Sequence, residues 1–326
     1  MVHDPTRRRF VVGLLGAASL GRVHAESKFP DRAVRIVVPY SVGIGPDVVA
    51  RAVAERLSMQ WGQPVIVDNK PGASGIIAFA EVRRTAPDGY TLFLADTATL
   101  AVNPLIHAEL PYDPARDLVP LSLLFRTTFL VYVGGDSRFR SIAGLLQEAR
   151  SEPKRVSYAS LGNGHASQVA IESMARAANV DLLHVPFKEA GAMLSAVASG
   201  DVDFTAIGTN TASGLVALGK LRPLAVAANS RIKAVPDVPT LLEAGGPAVE
   251  MRPWAALVAV AGTPQSVLQI LRAGILAALD SPDARRRVES AGFELTPSTP
   301  QELEARVAAD IANYAPLVRE GRVTRY

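Results

Sequence analysis

The chain has 326 residues, 48% apolar and 20% charged, and its 34 Lys and Arg exceed its 31 Asp and Glu by a net charge of +3. So much apolar and so little charged content excludes a disordered chain, and its 25 Gly and 23 Pro follow no period, which excludes a collagen-like one. With no cysteine there are no disulfides, cysteine zinc sites, iron–sulfur clusters or thiol nucleophile, and the length suits two domains with separate cores.

Residues 1–25 read as an export signal. Arg7-Arg8-Arg9 precedes the apolar run Phe10–Leu20, and Val23-His24-Ala25 supplies a small-residue cleavage site. The run is shorter than the ~20 residues that span a bilayer. Thr6-Arg7-Arg8-Arg9-Phe10-Val11 resembles a twin-arginine signal, and the general secretory route is the alternative. Cleavage near Ala25 leaves a mature exported chain starting at Glu26. It removes four arginines and Asp4, leaving 30 basic and 30 acidic residues. The pI near 9.2 therefore belongs mainly to the signal, and no basic stripe remains for nucleic acid.

The spacing predicts strands over Val34–Tyr40, Pro64–Asn69, Tyr90–Ala95, Thr128–Val133, Arg155–Ala159, Leu182–Pro186, Val202–Ile207, Pro223–Ala228 and Ala256–Val260. Helices are predicted over Asp47–Met59, Ile142–Arg150, Ala166–Ala178, Ala190–Ser199, Pro264–Leu279 and Pro300–Val318. The first helix places Val48, Val49, Ala52, Val53 and Leu57 on one face. Thr299 and Glu302 form a capping box around Pro300, and Thr263-Pro264 opens a helix without one. The alternation of strand and helix predicts an α/β protein with parallel sheets. Leu118–Val133 is long, apolar and extended, suited to carry the chain between two lobes, and Met251–Val260 would carry it back. The expected division is 26–126 with 251–326 as the first lobe and 127–250 as the second.

Enzyme signatures fail in turn. Gly72-Ala-Ser-Gly75 has the wrong spacing for a nucleophile elbow. Histidines 3, 24, 107, 165 and 184 form no metal-ligand pair at helical spacing. Gly214–Lys220 approaches a phosphate loop, but Leu221 stands in place of Ser or Thr and a strand follows instead of a helix. No catalytic residue, metal or cofactor is expected. What remains are polar, glycine-bearing loops at strand ends: Pro39–Asp47, Asn69–Gly75, Asp96–Thr99 and Ser160–Gln168. Ligands of open α/β sheets sit outside strand C-termini, so these loops predict a cleft between lobes. Asp47 is read as a helix cap rather than a ligand contact.

In order, several segments resemble the Bug-type receptors of tripartite tricarboxylate transporters. They include Phe29–Tyr40, Asp47–Arg51, Val67–Gly72, Ala86–Leu92, Tyr112-Asp-Pro, Asp117–Pro120 and Tyr158–Gly164. His184–Lys188, Gly219–Val226, Pro236–Gly245 and Gly262–Pro264 complete the series. The resemblance implies a type II periplasmic-binding-protein fold, with two α/β lobes, two crossovers and a ligand cleft between them. It implies capture of a small carboxylate-bearing solute by backbone N–H groups, hydroxyls and water, with delivery to a two-component membrane permease. A sensor acting on a membrane kinase is the alternative, and a monomer is expected.

Carried over by position, Tyr40, Ser41 and Gly43 line the first loop, Ala73 and Ser74 the second, and Thr97 and Thr99 the third. Ser160, Gly162, Asn163, Gly164 and His165 face them from the other lobe, and Thr209 and Asn210 follow a further strand. Two departures stand out. Val42 and Ile44 replace a proline and a glycine of the family's first loop, and Glu189-Ala190 replaces a glycine pair.

Overall fold

The structure is a computed structural model and describes residue 1, residues 29–43 and residues 45–326. The expected export signal and the departure at Ile44 lie outside the described residues.

The strands are β1 (Val34–Val38), β2 (Val65–Asn69), β3 (Thr91–Asp96), β4 (Leu118–Arg126), β5 (Phe129–Gly134), β6 (Ser157–Ser160), β7 (Leu183–Pro186), β8 (Phe204–Gly208), β9 (Leu221–Val226), β10 (Trp254–Val260) and β11 (Glu294–Leu295). The helices are α1 (Gly45–Trp61), α2 (Ile76–Val82), α3 (Asn103–Ile106), α4 (Pro114–Asp117), α5 (Ile142–Ser151), α6 (Ala166–Ala177), α7 (Ala190–Ser199), α8 (Thr209–Ala217), α9 (Gln265–Asp280), α10 (Pro282–Ser290) and α11 (Pro300–Arg319). A 3₁₀ turn at Ala73–Gly75 and a π turn at Ala98–Val102 fill the loops after β2 and β3.

Two sheets result, ordered β11-β4-β10-β3-β1-β2 and β7-β6-β8-β5-β9. Their central strands are apolar on both faces, as buried strands must be. In β10, Ala255, Leu257 and Ala259 enter one core, and Trp254, Ala256 and Val258 enter another on the opposite face. β5 divides likewise, with Phe129, Val131 and Val133 on one side and Leu130 and Tyr132 on the other. Helices cover both faces of each sheet. α1 contributes Val49, Ala50, Val53, Ala54 and Leu57 to its core, whereas Val48, expected on that face, is exposed.

The sheets are mixed, which corrects the expectation of parallel ones. β1 runs parallel to β2 and β3, and β6 to β7 and β8. β10 is antiparallel to β3 and β4, and β5 to β8 and β9. The reason is the crossing chain. β4 leads into β5 and the other sheet, while β10 brings the chain back, and each arriving strand inserts against the local direction. The crossing segments run side by side: Thr127 N–H donates to Pro253 O at 2.9 Å and Phe129 N–H to Met251 O at 2.9 Å. Glu294 of β11 pairs with Arg126 at 2.6 Å and with Arg252 at 2.5 Å, binding both crossings to one carboxylate.

Candidate functional site

Because β1, β2 and β3 are parallel, their ends at Val38, Asn69 and Asp96 share one edge of the first sheet. Side chains tie the three following loops together. Tyr40 donates its hydroxyl proton to Asp96 Oδ2. Asp96 Oδ1 accepts from Thr99 N–H at 2.8 Å and from the Thr99 hydroxyl at 2.9 Å. Burial pushes both the Tyr40 phenol and the Asp96 carboxyl above their usual range. Asn69 Nδ2 donates to Tyr40 O at 2.9 Å and to Asp47 Oδ1 at 2.8 Å.

Asp47 is not the cap expected from the sequence. It is the third residue of α1, 1% exposed, and its Oδ2 accepts from Gly43 N–H at 2.8 Å and Arg51 Nε at 3.0 Å. Burial alone would raise its carboxyl. The bonds from Arg51, Gly43 and Asn69 outweigh that and bring it below the usual range.

The second loop is the most strained stretch. Gly72, Ala73, Ser74 and Gly75 all have positive φ, of 124°, 47°, 49° and 87°. For Ala73 and Ser74 this costs about 1–2 kcal/mol each, and such strain persists only where surroundings enforce it. Asn103 enforces it here, donating from Nδ2 to Ser74 O at 2.9 Å and to Tyr112 Oη at 3.0 Å. Tyr112 in turn donates to Thr99 O at 2.9 Å. Gly75 is packed so closely that a Cβ there would stand 2.3 Å from Thr99 Cγ2.

On the second sheet, parallel β6, β7 and β8 end at Ser160, Pro186 and Gly208 on one edge. The loop after β6 turns through Gly162 (φ 109°) and Gly164 (φ 74°). Gly164 N–H donates to Gln168 Oε1 at 2.7 Å, which fixes the amide so that Nε2 faces His184 Nδ1 at 3.2 Å. Assigned from these partners, His184 carries its proton on Nε2 and donates to Ser160 Oγ at 2.6 Å. His184 therefore cannot take a proton from Ser160 as a serine-activating base would. His165 caps α6, its Nδ1 accepting from Ser167 N–H at 3.1 Å, and burial pushes its pKa down to about 4.

The two edges meet at two flanks. On one, Gly164 lies against Ile106 and Val102, and Asn163 Nδ2 donates to Thr324 O at 2.9 Å. Val102, Ile106, Val169, Leu317 and Val323 form an apolar cluster there. Arg322 also reaches α6 and the turn after it, pairing with Glu172 at 3.4 Å and donating to Val180 O at 3.0 Å. On the other flank Asn210 stands beside Gly45, and Thr209 beside Gly292.

The structure thus brings the expected loops into two facing groups, with the polar groups arranged differently from expectation. Thr97 and Thr99 are buried, the Thr97 hydroxyl accepting from Trp254 N–H at 3.1 Å. The side chains of Tyr40, Thr99, Ser160 and Asn163 are likewise engaged within the protein. Ser41, Gly43 and Ala73 are exposed, and Ser74, Thr209 and Asn210 are half-buried. Of the residues that wire the loops, Asn69, Asp96 and Gln168 bound the loops read from the sequence but carry no expected role there, and Asn103 and His184 lie outside those loops. Two signals were available: Asn69 and Asp96 end strands, and His184 opens one of the quoted segments.

Among the described residues, no group of three or more His, Asp or Glu is placed to hold a metal ion, and no helix is long and apolar enough to cross a membrane. A cavity of about 400 Å³ lies elsewhere, between α11, β4 and the π turn, lined by Leu100, Pro104, Leu118, Val258, Leu303 and Val307 among others.

Comparison with known proteins places these features in context. The sequence profile described as "Tripartite tricarboxylate transporter family receptor" matches residues 49–322. A protein encoded in the tcbD-tcbE intergenic region of Pseudomonas sp. (strain P51) is 32% identical over 97% of this chain and 95% of its own. Rpa4515 of R. palustris, solved with adipate, is 30% identical with a TM-score of 0.82, covering 91% of this chain and 100% of its own. MatC (Rpa3494) from Rhodopseudomonas palustris, solved with bound malate, is 30% identical with a TM-score of 0.78, over 89% of this chain and 99% of its own.

Proposed function

Since the chain belongs to the tripartite tricarboxylate transporter receptor family, we propose that it is a periplasmic receptor that captures a small carboxylate between its two lobes and delivers it to a two-component permease. The lobes of this reading are 26–126 with 251–326 and 127–250, and residues 1–25 direct export. The mature chain acts without cofactor and makes or breaks no bond.

The observation that carries the reading is the run of four positive-φ residues, Gly72–Gly75, at the same sheet edge as the first and third loops. Strain that an asparagine and a close-packed threonine must enforce is a mark of a working site. Opposite it, Gly162 and Gly164 let the second lobe's main chain approach without side chains in the way. The binding groups in this reading are main-chain N–H groups of Ala73, Ser74 and Asn163, with the Ser41, Ser74 and Thr209 hydroxyls, while the N–H groups of Gly43 and Gly162 are held by Asp47 and Ser160. The buried hydroxyls of Tyr40, Thr97, Thr99 and Ser160 shape these loops from behind. Similar proteins solved with adipate and malate support a carboxylate ligand.

A mature chain of net zero charge cannot draw an anion by its overall field. Attraction arises locally, from donors in the loops and from the N-termini of α1, α6 and α8. A ligand held by both lobes stabilises the closed arrangement through contacts it makes only there.

Thermal melting against mono-, di- and tricarboxylates, amino acids and aromatic acids tests the reading. At least one acid should raise the melting temperature progressively with concentration, by mass action. A folded protein indifferent to every acid would contradict it.

A further inference from the structure

We propose that His184 and Gln168 are positioning residues for the solute: they hold the Ser160–Gly164 loop in shape through a hydrogen-bond chain that closes only while His184 carries a single proton, on Nε2. The solute part of this inference rests on the functional reading above.

The chain is continuous. Gly164 N–H donates to Gln168 Oε1, Gln168 Nε2 donates to His184 Nδ1, and His184 Nε2 donates to Ser160 Oγ. Ser160 then gives its own proton to Gly162 O at 3.2 Å. Both ends of the chain thus lie on the loop, at Ser160 and Gly162 on one side and at Gly164 on the other. Ser160 and Gln168 are buried, so water cannot readily replace these bonds. The imidazole is stacked on Tyr158, centroids 4.9 Å apart and 18° from parallel, which resists rotation out of line.

A second proton would have to sit on Nδ1, facing the Gln168 NH₂ group. Turning the amide to accept it would bring NH₂ against Gly164 N–H. Either way a bond of the chain is lost, and with it the restraint on the loop. Burial already holds the His184 pKa below its usual value. The titratable or charged groups around it are Tyr158 on β6, with His165 and Glu172 at and on α6. Arg322 pairs with Glu172, and exposed Lys188 and Glu189 follow β7. Affinity should therefore hold at neutral pH and fall on acidification.

The test uses the full chain, His184→Phe and His184→Gln. Phe retains the stacking and loses both bonds, while the Gln amide offers one donor and one acceptor at similar reach. Without ligand, the imidazole ¹⁵N spectrum at about pH 7.5 should show His184 protonated on Nε2 alone. The Gly164 amide should resist exchange in the wild type and His184→Gln but not in His184→Phe. A proton on Nδ1, or Gly164 protection unchanged in His184→Phe, would overturn the chain.

With adipate, malate or whichever acid stabilises the wild type, calorimetry should show His184→Phe weakened by about tenfold or more. His184→Gln should bind nearly as the wild type does and should not share the wild type's loss of affinity on acidification. Equal binding by wild type and His184→Phe would refute the positioning role. Absence of carboxylate binding by the wild type, with the spectra as expected, would instead refute the functional reading.

Discussion

Gly164, at the C-terminal edge of the second sheet, packs directly on Ile106 of α3 beside the first: a Cβ on Gly164 would stand 2.3 Å from Ile106 Cδ1. The contact makes a backbone turn part of the seam between the two halves. Gly164→Val should therefore fail twice. It strains a left-handed residue and drives the halves apart at this flank, so carboxylate binding should be lost and the melting temperature lowered. Compared with Ile106→Ala alone, which opens a cavity of its own, adding Gly164→Ala meets no clash with residue 106 and keeps only the φ cost of about 1 kcal/mol. Calorimetry and thermal melts on the three proteins separate the two effects.

Asp47 joins Gly43, Arg51 and Asn69, and so fastens the first loop to the second. Asp47→Ala leaves the Asn69 amide and Gly43 N–H without their acceptor. The loss should be about 1–3 kcal/mol in urea unfolding, and affinity should fall as well, since both loops shift. Asp47→Asn should recover part of the stability. Because hydrogen bonds depress the Asp47 carboxyl, its contribution is full above the unfolded pKa of 3.8 and is lost as pH falls through the lower folded value.

Tyr40 and Asp96 are coupled, and each should matter mainly through the other. Tyr40→Phe removes a donor to a buried carboxylate and should cost about 1–3 kcal/mol. A double-mutant cycle with Asp96→Asn should give a coupling of about 0.5–3 kcal/mol. Additive effects would mean that the pair does not hold the first and third loops together.

His165 sets an acid limit on stability. Its folded pKa of about 4 lies below the unfolded 6.5, so between these values the unfolded chain binds the proton and the folded one does not. Stability is therefore complete above about pH 6.5 and declines as pH falls toward 4. His165→Asn keeps an acceptor for Ser167 N–H at the cap of α6. It should flatten the decline across this window, as read from unfolding at a series of pH values.

The legible parts of this fold are those whose causes are local. Thr299 accepts from Glu302 N–H at 3.1 Å and Glu302 accepts from Thr299 N–H at 2.7 Å, the reciprocal bonds read from four adjacent residues. The short, near-continuous apolar runs of β1, β3 and β5 likewise mark strands without reference to partners. β11 is only two residues long, and it exists because Glu294 and Leu295 find Arg126 and Phe125 across the chain. α2 begins after a left-handed turn that Asn103 holds from 29 residues away, so no start signal precedes it. The loops were found because Gly, Ser and Thr cluster after strands. Their internal wiring was not, because Asp47 needs Asn69, Ser160 needs His184, and Asn163 needs Thr324. Those pairings follow from the meeting of parallel strand ends and of two sheets, which no local pattern encodes.

The central claim is that the solute sits between the two strand edges and is held by main chain. The most direct measurement is a crystal structure with the carboxylate that best stabilises the protein. The account predicts carboxylate oxygens within hydrogen-bond distance of N–H groups in both the Gly72–Gly75 and Ser160–Gly164 loops. A ligand seated in the cavity between α11 and β4, or touching the loops of one sheet only, would contradict it.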